Sequence, residues 1–256
     1  MSIPRTKDYI TCFLRSYMVG AAYNTRGLQN IGFMFALEPV LAEIYGAGSE
    51  LKAARRRYVS NYNCHPFFTP LLLGIFIHME LAIADGRLDR QILDKLKSPT
   101  ANTLSAIGDS FFNGSLMAGW SLTCCCLIIA GQANAALALT AVCFVLLQAF
   151  KLVGFVLGLR NGMQVLAFLR KLDLINLGDT VKYGNACILA VFFWLALGET
   201  ATSAFAGAGM YLALGAWAVG RLHLPRVLLA LGLLALILGL QISGFFTPVQ
   251  SDWLGW

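Results

Sequence analysis

Three short clusters in the first half of the chain carry residue types that can grip a polar ligand. The first is Tyr23-Asn24, followed by Gln29 and by Gly32-Phe33. The second is Asn63-Cys64-His65-Pro66, with Gly74 and Glu80 downstream. The third is Gly108-Asp109-Ser110-Phe111-Phe112-Asn113-Gly114. A polar ligand can both donate and accept hydrogen bonds. Sites that hold one use amides and carboxylates in paired contacts, with an aromatic face to stack on. Asn24, Gln29, Asn63, His65, Glu80, Asp109 and Ser110 are the candidates. An ionised acid at bilayer depth costs about 2.5–3.5 kcal/mol, which favours a functional reason for Glu80 and Asp109. Each position also has a structural reading. Gly108-Asp109-Ser110 before an apolar run is good helix-capping chemistry. His65 can order the Asn-x-His-Pro turn, and Asn24 and Gln29 can do the same for theirs.

Catalysis finds less support. The three histidines are scattered, with no P-loop, kinase lysine motif or convergent acid–base set. Among the seven cysteines, Cys124, Cys125 and Cys126 are consecutive within an apolar run. Neighbours on a helix point about 100° apart, and no CxxC or Cys/His spacing occurs. The sequence therefore implies no metal and no cofactor.

The elements that must position these residues belong to a membrane protein. Of 256 residues 58% are hydrophobic and only 12% charged, too little polar surface to cover a soluble core of this size. Mean hydropathy, +0.68, agrees. The net charge of +6 lies between apolar segments, the pattern of cytoplasmic loops rather than of a nucleic-acid surface. Near the start, Tyr9/Ile10, Phe13/Leu14, Tyr17/Met18 and Ala21 recur at helical spacing, with Lys7, Thr11 and Arg15 on the other face. This predicts an amphipathic helix lying in the membrane interface, not a signal peptide, because Arg15 interrupts the apolar run.

Charge spacing organises the rest. Between Lys97 and Lys151 the only charged residue is Asp109. As helix this stretch would be roughly 80 Å long, enough for two crossings of a ~30 Å core, with a turn at Gly131-Gln132-Ala133-Asn134. Tyr183–Gly220 reads as two passes turning near Glu199, and Val227–Phe246 as a last span. Basic clusters at Arg55–Arg57, Arg87–Lys97, Lys151–Lys182 and Arg221/Arg226 all face the cytoplasm if an even number of crossings separates them. Phe67–Ala84 has basic flanks on both sides and contains Pro70, Gly74, His78 and Glu80. It reads as a re-entrant hairpin, with a plain buried or interfacial helix as the alternative. The expected class is all-α, with about five crossings. Its segments are 1–66 (interfacial helices), 67–97 (re-entrant hairpin and cytoplasmic segment), 98–150 (membrane hairpin), 151–182 (cytoplasmic segment) and 183–256 (C-terminal membrane helices). The N-terminus is cytoplasmic and the C-terminus external. Arg55, Arg56 and Arg57 suit anionic lipid or a docking protein domain.

The three clusters, in this order and spacing, resemble the IID family of bacterial mannose/fructose/sorbose phosphotransferase systems. That family carries Trp-Asn-x-x-x-x-Gln-x-x-Gly-Phe, Asn-Thr-His-Pro, a Glu in the following hairpin, and Gly-Asp-Ser-x-Phe-Trp-Gly. Phe13-Leu14-Arg15-Ser16 and Lys97 also fit. The likeness covers about residues 10 to 120 and weakens to Gly154, Gly158 and Gly162 beyond Lys151. Departures are clear. Tyr23 and Asn113 stand where tryptophan is usual, and Arg26-Gly27 where Glu-Arg is usual. Ala101–Ala106 replaces a Gly/Pro-rich hairpin tip, which predicts a more helical tip. The resemblance implies a non-catalytic translocation subunit in the bacterial inner membrane. Its partners would be a IIC membrane subunit, cytoplasmic IIA and IIB phosphocarriers, and a hexose or amino-sugar, in a trimer of IIC–IID pairs. The departures leave a second reading open, a IID-like scaffold or regulatory subunit that does not carry sugar. A stand-alone channel would have to do without the internal inverted repeat common in carriers.

Overall fold

A computed structural model describes residues 4–197, with a few isolated positions beyond them. The chain divides into two units, residues 1–192 and 193–256, and the architecture below is that of the first. The expected turn near Glu199 and most of the expected Val227–Phe246 span lie outside the described residues. Everything regular among the described residues is helical: α1 (Thr6–Arg15) with a 3₁₀ extension (Ser16–Ala22), α2 (Asn30–Tyr45), α3 (Ser49–Val59), α4 (Thr69–Ala84), α5 (Arg90–Gly108), a π-helical segment (Asp109–Met117), α6 (Ala118–Ile129), α7 (Ala133–Asn161), α8 (Val165–Leu172) and α9 (Leu174–Leu197).

Two helical stretches, Arg90–Ile129 and Ala133–Ala196, are long and apolar enough to cross a membrane. Only 17% and 11% of their most apolar windows are buried within the chain, so their greasy faces point outward, as a lipid-facing helix requires and a soluble core helix does not. The expected turn between them is present, with Gly131 at φ +75° between α6 and α7. Residues 101–106 lie within α5, so the tip is helical as the sequence implies.

Helix α4 is the hub. Its sequence is apolar on every side, and twelve of its sixteen residues are buried, so it has neighbours all round rather than a wet face. The re-entrant hairpin expected in Phe67–Ala84 is not there: Thr69–Ala84 is one unbroken helix. Pro70 does not break it because it stands in the first turn, where the missing N–H has no intrahelical partner anyway.

α4 lies against the second half of α7, which runs unbroken past 150, the boundary drawn from charge. A Cβ on Gly74 would stand 2.4 Å from the Phe155 carbonyl oxygen, and one on Gly158 2.5 Å from that of Leu71. At the far end His78 Nδ1 donates to the Leu159 carbonyl at 2.9 Å, and Gly162 (φ +53°) abuts the same ring. The register advances together along both helices, so they run parallel. Gly154, Gly158 and Gly162 form a four-residue small-residue repeat that permits this backbone approach.

The same end of α4 is also pinned by a buried charge. Glu80 has no exposed surface. Its Oε1 accepts from Arg57 Nε (3.2 Å), Arg57 Nη2 (3.1 Å) and the Tyr58 hydroxyl (2.8 Å), and its Oε2 from Arg57 Nη2 (2.8 Å) and the Tyr45 hydroxyl (2.5 Å). Burial, and then the facing carboxylate, push the Tyr58 hydroxyl well above its ordinary pKa, which keeps it a donor. Lys97 of α5 donates in turn to the Arg57 carbonyl and the Ser60 hydroxyl. The expectation that Glu80 faces a ligand beside Asn63 and His65 is therefore corrected. Its lone pairs are filled from α2 and α3, and the unbroken helix holds it about 16 Å from the start of α4.

Glu80→Gln leaves Arg57 buried without its counter-charge, and breaking such a pair costs about 3–5 kcal/mol. Thermal unfolding of the purified protein is expected to show a drop of about 10 °C. A Glu80→Gln, Arg57→Met double variant recovers part of it. An unchanged midpoint for Glu80→Gln refutes the pinning role. At the glycine crossing, Gly158→Ala must displace backbone and lowers the midpoint by at least about 5 °C. Gly184→Ala, where a Cβ meets open space, does not lower it; equal effects would refute the tight α4–α7 contact.

Candidate functional site

The loops before α2 and before α4 are laced together by their own polar groups. Asn24 Oδ1 accepts from the backbone N–H groups of Arg26 (3.1 Å) and Gly27 (2.8 Å), and its Nδ2 donates to Asn30 Oδ1 at 2.9 Å. This turn holds Leu28 at φ +60°, a strained position for a branched side chain. The Gln29 backbone N–H donates to the Tyr62 carbonyl (2.9 Å), and Gln29 Oε1 accepts from the Cys64 N–H (3.1 Å). Asn30 Nδ2 donates to the Val59 carbonyl. Asn24 and Gln29 thus spend their amides on backbone and position the second cluster.

That cluster opens α4. The His65 carbonyl accepts from the Phe68 (2.9 Å) and Thr69 (3.1 Å) N–H groups, and His65 Nδ1 accepts from the Phe67 N–H at 3.3 Å. The ring, 4% exposed, stacks on Phe112 with centroids 5.3 Å apart and planes 14° from parallel. Gly108 makes room for it, since a Cβ there would stand 2.4 Å from that of His65. Burial lowers the His65 pKa; Asn113 and Asp109 pull it the other way, and Lys151 adds to the lowering. Asn63, half-buried, makes no side-chain hydrogen bond among the described residues.

The third cluster is the π-helical segment inside the long Arg90–Ile129 helix. Asp109 has φ −62° and ψ −42°, so it neither caps a helix nor sits at a hairpin tip. The wider turn sends Phe112 inward to His65, Phe67, Phe68 and Phe150 and leaves Asp109 and Asn113 exposed, with Asn113 Nδ2 3.4 Å from Asp109 Oδ1. The Ser115 hydroxyl donates to the Ser110 carbonyl at 3.0 Å, and Asn185 Nδ2 donates to the Ser115 carbonyl at 2.8 Å. π-helical turns of this kind cluster at functional sites.

Two contributors were not legible as site residues. Lys151, part-way along α7, holds its ammonium 4.3 Å above the Tyr17 ring and 5.1 Å from that of Phe67. Tyr17 donates its hydroxyl to Gln148 Oε1 at 2.7 Å. Lys151 looked like a loop boundary. The signal that could have found it is a lone cation in an apolar helix, which is a functional candidate by default. The structure thus joins His65, Asp109, Asn113 and Lys151 around one aromatic cluster and leaves Glu80 outside it.

The chain is 24% identical over 111 residues to the fructose permease IID component of Bacillus subtilis (strain 168), covering 43% of this chain and 40% of that protein. It is 29% identical over 106 residues to the mannose-specific EIID component of Escherichia coli (strain K12), covering 41% and 38%. The matched stretch therefore spans less than half of either relative. A sorbose-specific EIID component of Klebsiella pneumoniae is 24% identical over 161 residues, 62% of this chain and 59% of that one. A solved structure described as a membrane protein superposes with TM-score 0.66 at 17% identity over 94% of this chain and 97% of the other. A cryo-electron microscopy structure of the mannose transporter ManYZ with microcin E492 superposes with TM-score 0.55 at 18% identity over 96% and 97%. At those identities the structures support the fold. Residues 5–202, most of the chain, match the profile of the PTS system mannose/fructose/sorbose family IID component, and the chain belongs to that family of bacterial inner-membrane components.

Proposed function

We propose that this chain is a translocation subunit that forms a sugar path together with a IIC membrane subunit. The chain performs no phosphoryl transfer itself; cytoplasmic IIA and IIB proteins supply the phosphate. The substrate is a hexose or amino-sugar, and the assembly is a trimer of IIC–IID pairs. About five crossings put the N-terminus in the cytoplasm and the C-terminus outside. The observation that carries the reading is the surface around one aromatic cluster: Asp109 and Asn113 stand on the turn whose Phe112 packs against Phe67, and the Lys151 ammonium lies over the Phe67 and Tyr17 rings. A carboxylate, an amide and an ammonium beside aromatic rings offer both donors and acceptors to hydroxyls and a face to a sugar ring. Asn63, His65 and Ser110 border this surface. Asn24 and Gln29 act by holding its loops, and Glu80 by fixing the scaffold.

The helical 101–106 segment and Asn113 in place of a tryptophan favour one second reading, a scaffold that keeps the complex together without carrying sugar. Uptake by the reconstituted pair separates the two. A wild-type pair that assembles and moves no sugar establishes the scaffold.

Charge-assisted hydrogen bonds are worth roughly 1.5–3 kcal/mol, so Asp109→Asn and Lys151→Gln are each expected to lower uptake about ten- to a hundredfold while the IIC–IID pair still co-purifies. Normal uptake in both variants removes this surface from the path, and loss of co-purification makes it a subunit contact instead. For topology, a cytoplasmic thiol label is expected to reach cysteines placed at Arg90 and Arg170, and an impermeant external label one placed at Trp256. Cytoplasmic labelling at Trp256 overturns the odd number of crossings.

A further inference from the structure

A second polar feature lies away from the aromatic surface. Along α3, facing the first half of α5, runs a cavity of about 690 Å³. Ser49 at one end of α3 and Ser60 just past the other both line it, so it follows the whole helix, about 16 Å at 1.5 Å per residue. Of the cations on its wall, Arg57 is committed to Glu80. Lys52, Arg56 and Lys97 have no carboxylate within ion-pair distance among the described residues. Lys97 is only 4% exposed, and its ammonium rests on neutral acceptors, the Arg57 carbonyl and the Ser60 hydroxyl. Those acceptors belong to the C-terminal end of α3, whose dipole supplies about half a negative charge. Lys52 and Arg56 stand four apart on the same helix face, an arrangement of like charges that destabilises a helix unless something negative lies between them. Asp94 is the one acid on the wall, so three cations face one carboxylate.

We propose that this cavity is a binding site for a phosphate-type oxyanion, held by Lys52, Arg56 and Lys97. A guanidinium fork and two ammonium groups match several oxygens carried on one centre. The space is too large for a monatomic ion, and the lining is hydroxyl, charge and Ala53, with no apolar wall for an acyl chain. The phosphate can come from the head of an anionic lipid or from solution, and the chemistry of recognition is the same.

The test is thermal unfolding of the full chain, purified with its membrane partner. It is measured with inorganic phosphate, with phosphatidylglycerol nanodiscs, and with phosphatidylcholine nanodiscs as the neutral reference. Wild type is expected to gain at least 3 °C from phosphate, from phosphatidylglycerol over phosphatidylcholine, or from both. A response to phosphatidylglycerol alone identifies a lipid headgroup, and a response to inorganic phosphate identifies a soluble source. The Lys52→Gln, Arg56→Gln double variant changes two exposed side chains and is expected to lose at least two-thirds of the gain. Lys171→Gln, an exposed cation on α8 away from the cavity, keeps it. No gain in wild type, or an equal gain in the double variant and Lys171→Gln, overturns the proposal.

Discussion

A carboxylate can be removed from water only where its lone pairs are filled, and at Glu80 that requirement decides how the helices assemble. Five hydrogen bonds from Arg57, Tyr58 and Tyr45 reach its two oxygens. They come from α2 and α3, so both must meet α4 at one height and in one rotation. The Arg57 carbonyl is then Lys97's acceptor, which carries the constraint to α5. Replacing a buried ion pair by apolar residues is often neutral or favourable. Its value here is a single geometry: the glycine crossing sets the face α4 turns to α7, and Glu80 sets the face it turns to α2 and α3.

The aromatic surface around Lys151 depends on that scaffold without touching it. From the Glu80 end, α4 carries position about 16 Å back to its first turn, which His65 opens. Along the way Gly74 and Gly158 lock α7 in parallel register. Lys151 lies seven residues before Gly158, two helical turns, which sets its ammonium beside Phe67 just ahead of α4. The tight crossing thus explains a charge inside an apolar helix. The chain does not merely tolerate Lys151; the glycine contact places it over two aromatic rings, which partly replace its lost hydration.

What could be read from the sequence, and what could not, follows from the same physics. The turn at Gly131 was legible because a stretch whose only charge is Asp109 is too long for one crossing, and Gly131-Gln132-Ala133-Asn134 breaks its apolar run. The helical tip at Ala101–Ala106 was legible from missing glycine and proline. The motif clusters were legible as clusters, and His65 with Asp109 does come together around Phe112. Phe67–Ala84 misled because an apolar run flanked by charge reads alike whether lipid or protein surrounds it. Only the contacts show that α4 is sheathed by other helices. Glu80 misled for a related reason. A lone acid in such a run must be compensated, but sequence does not say whether a ligand or Arg57, twenty-three residues away, provides the compensation.

The π-helical segment shows why the exposed polar groups and the buried rings belong to one device. A regular α-helix through Asp109–Met117 would advance about 100° per residue, and a wider turn shifts that phase. The shift costs helix hydrogen bonding, and local partners answer it: the Ser115 hydroxyl takes the Ser110 carbonyl five residues back, and Asn185 of α9 takes the carbonyl of Ser115. With the phase so held, Phe112 fills the space against His65 while Asp109 and Asn113, on the same turn, stay in the open. The polar surface is therefore rigid because its apolar root is packed. The root in turn is packed because Gly108 lets the histidine ring lie against the helix.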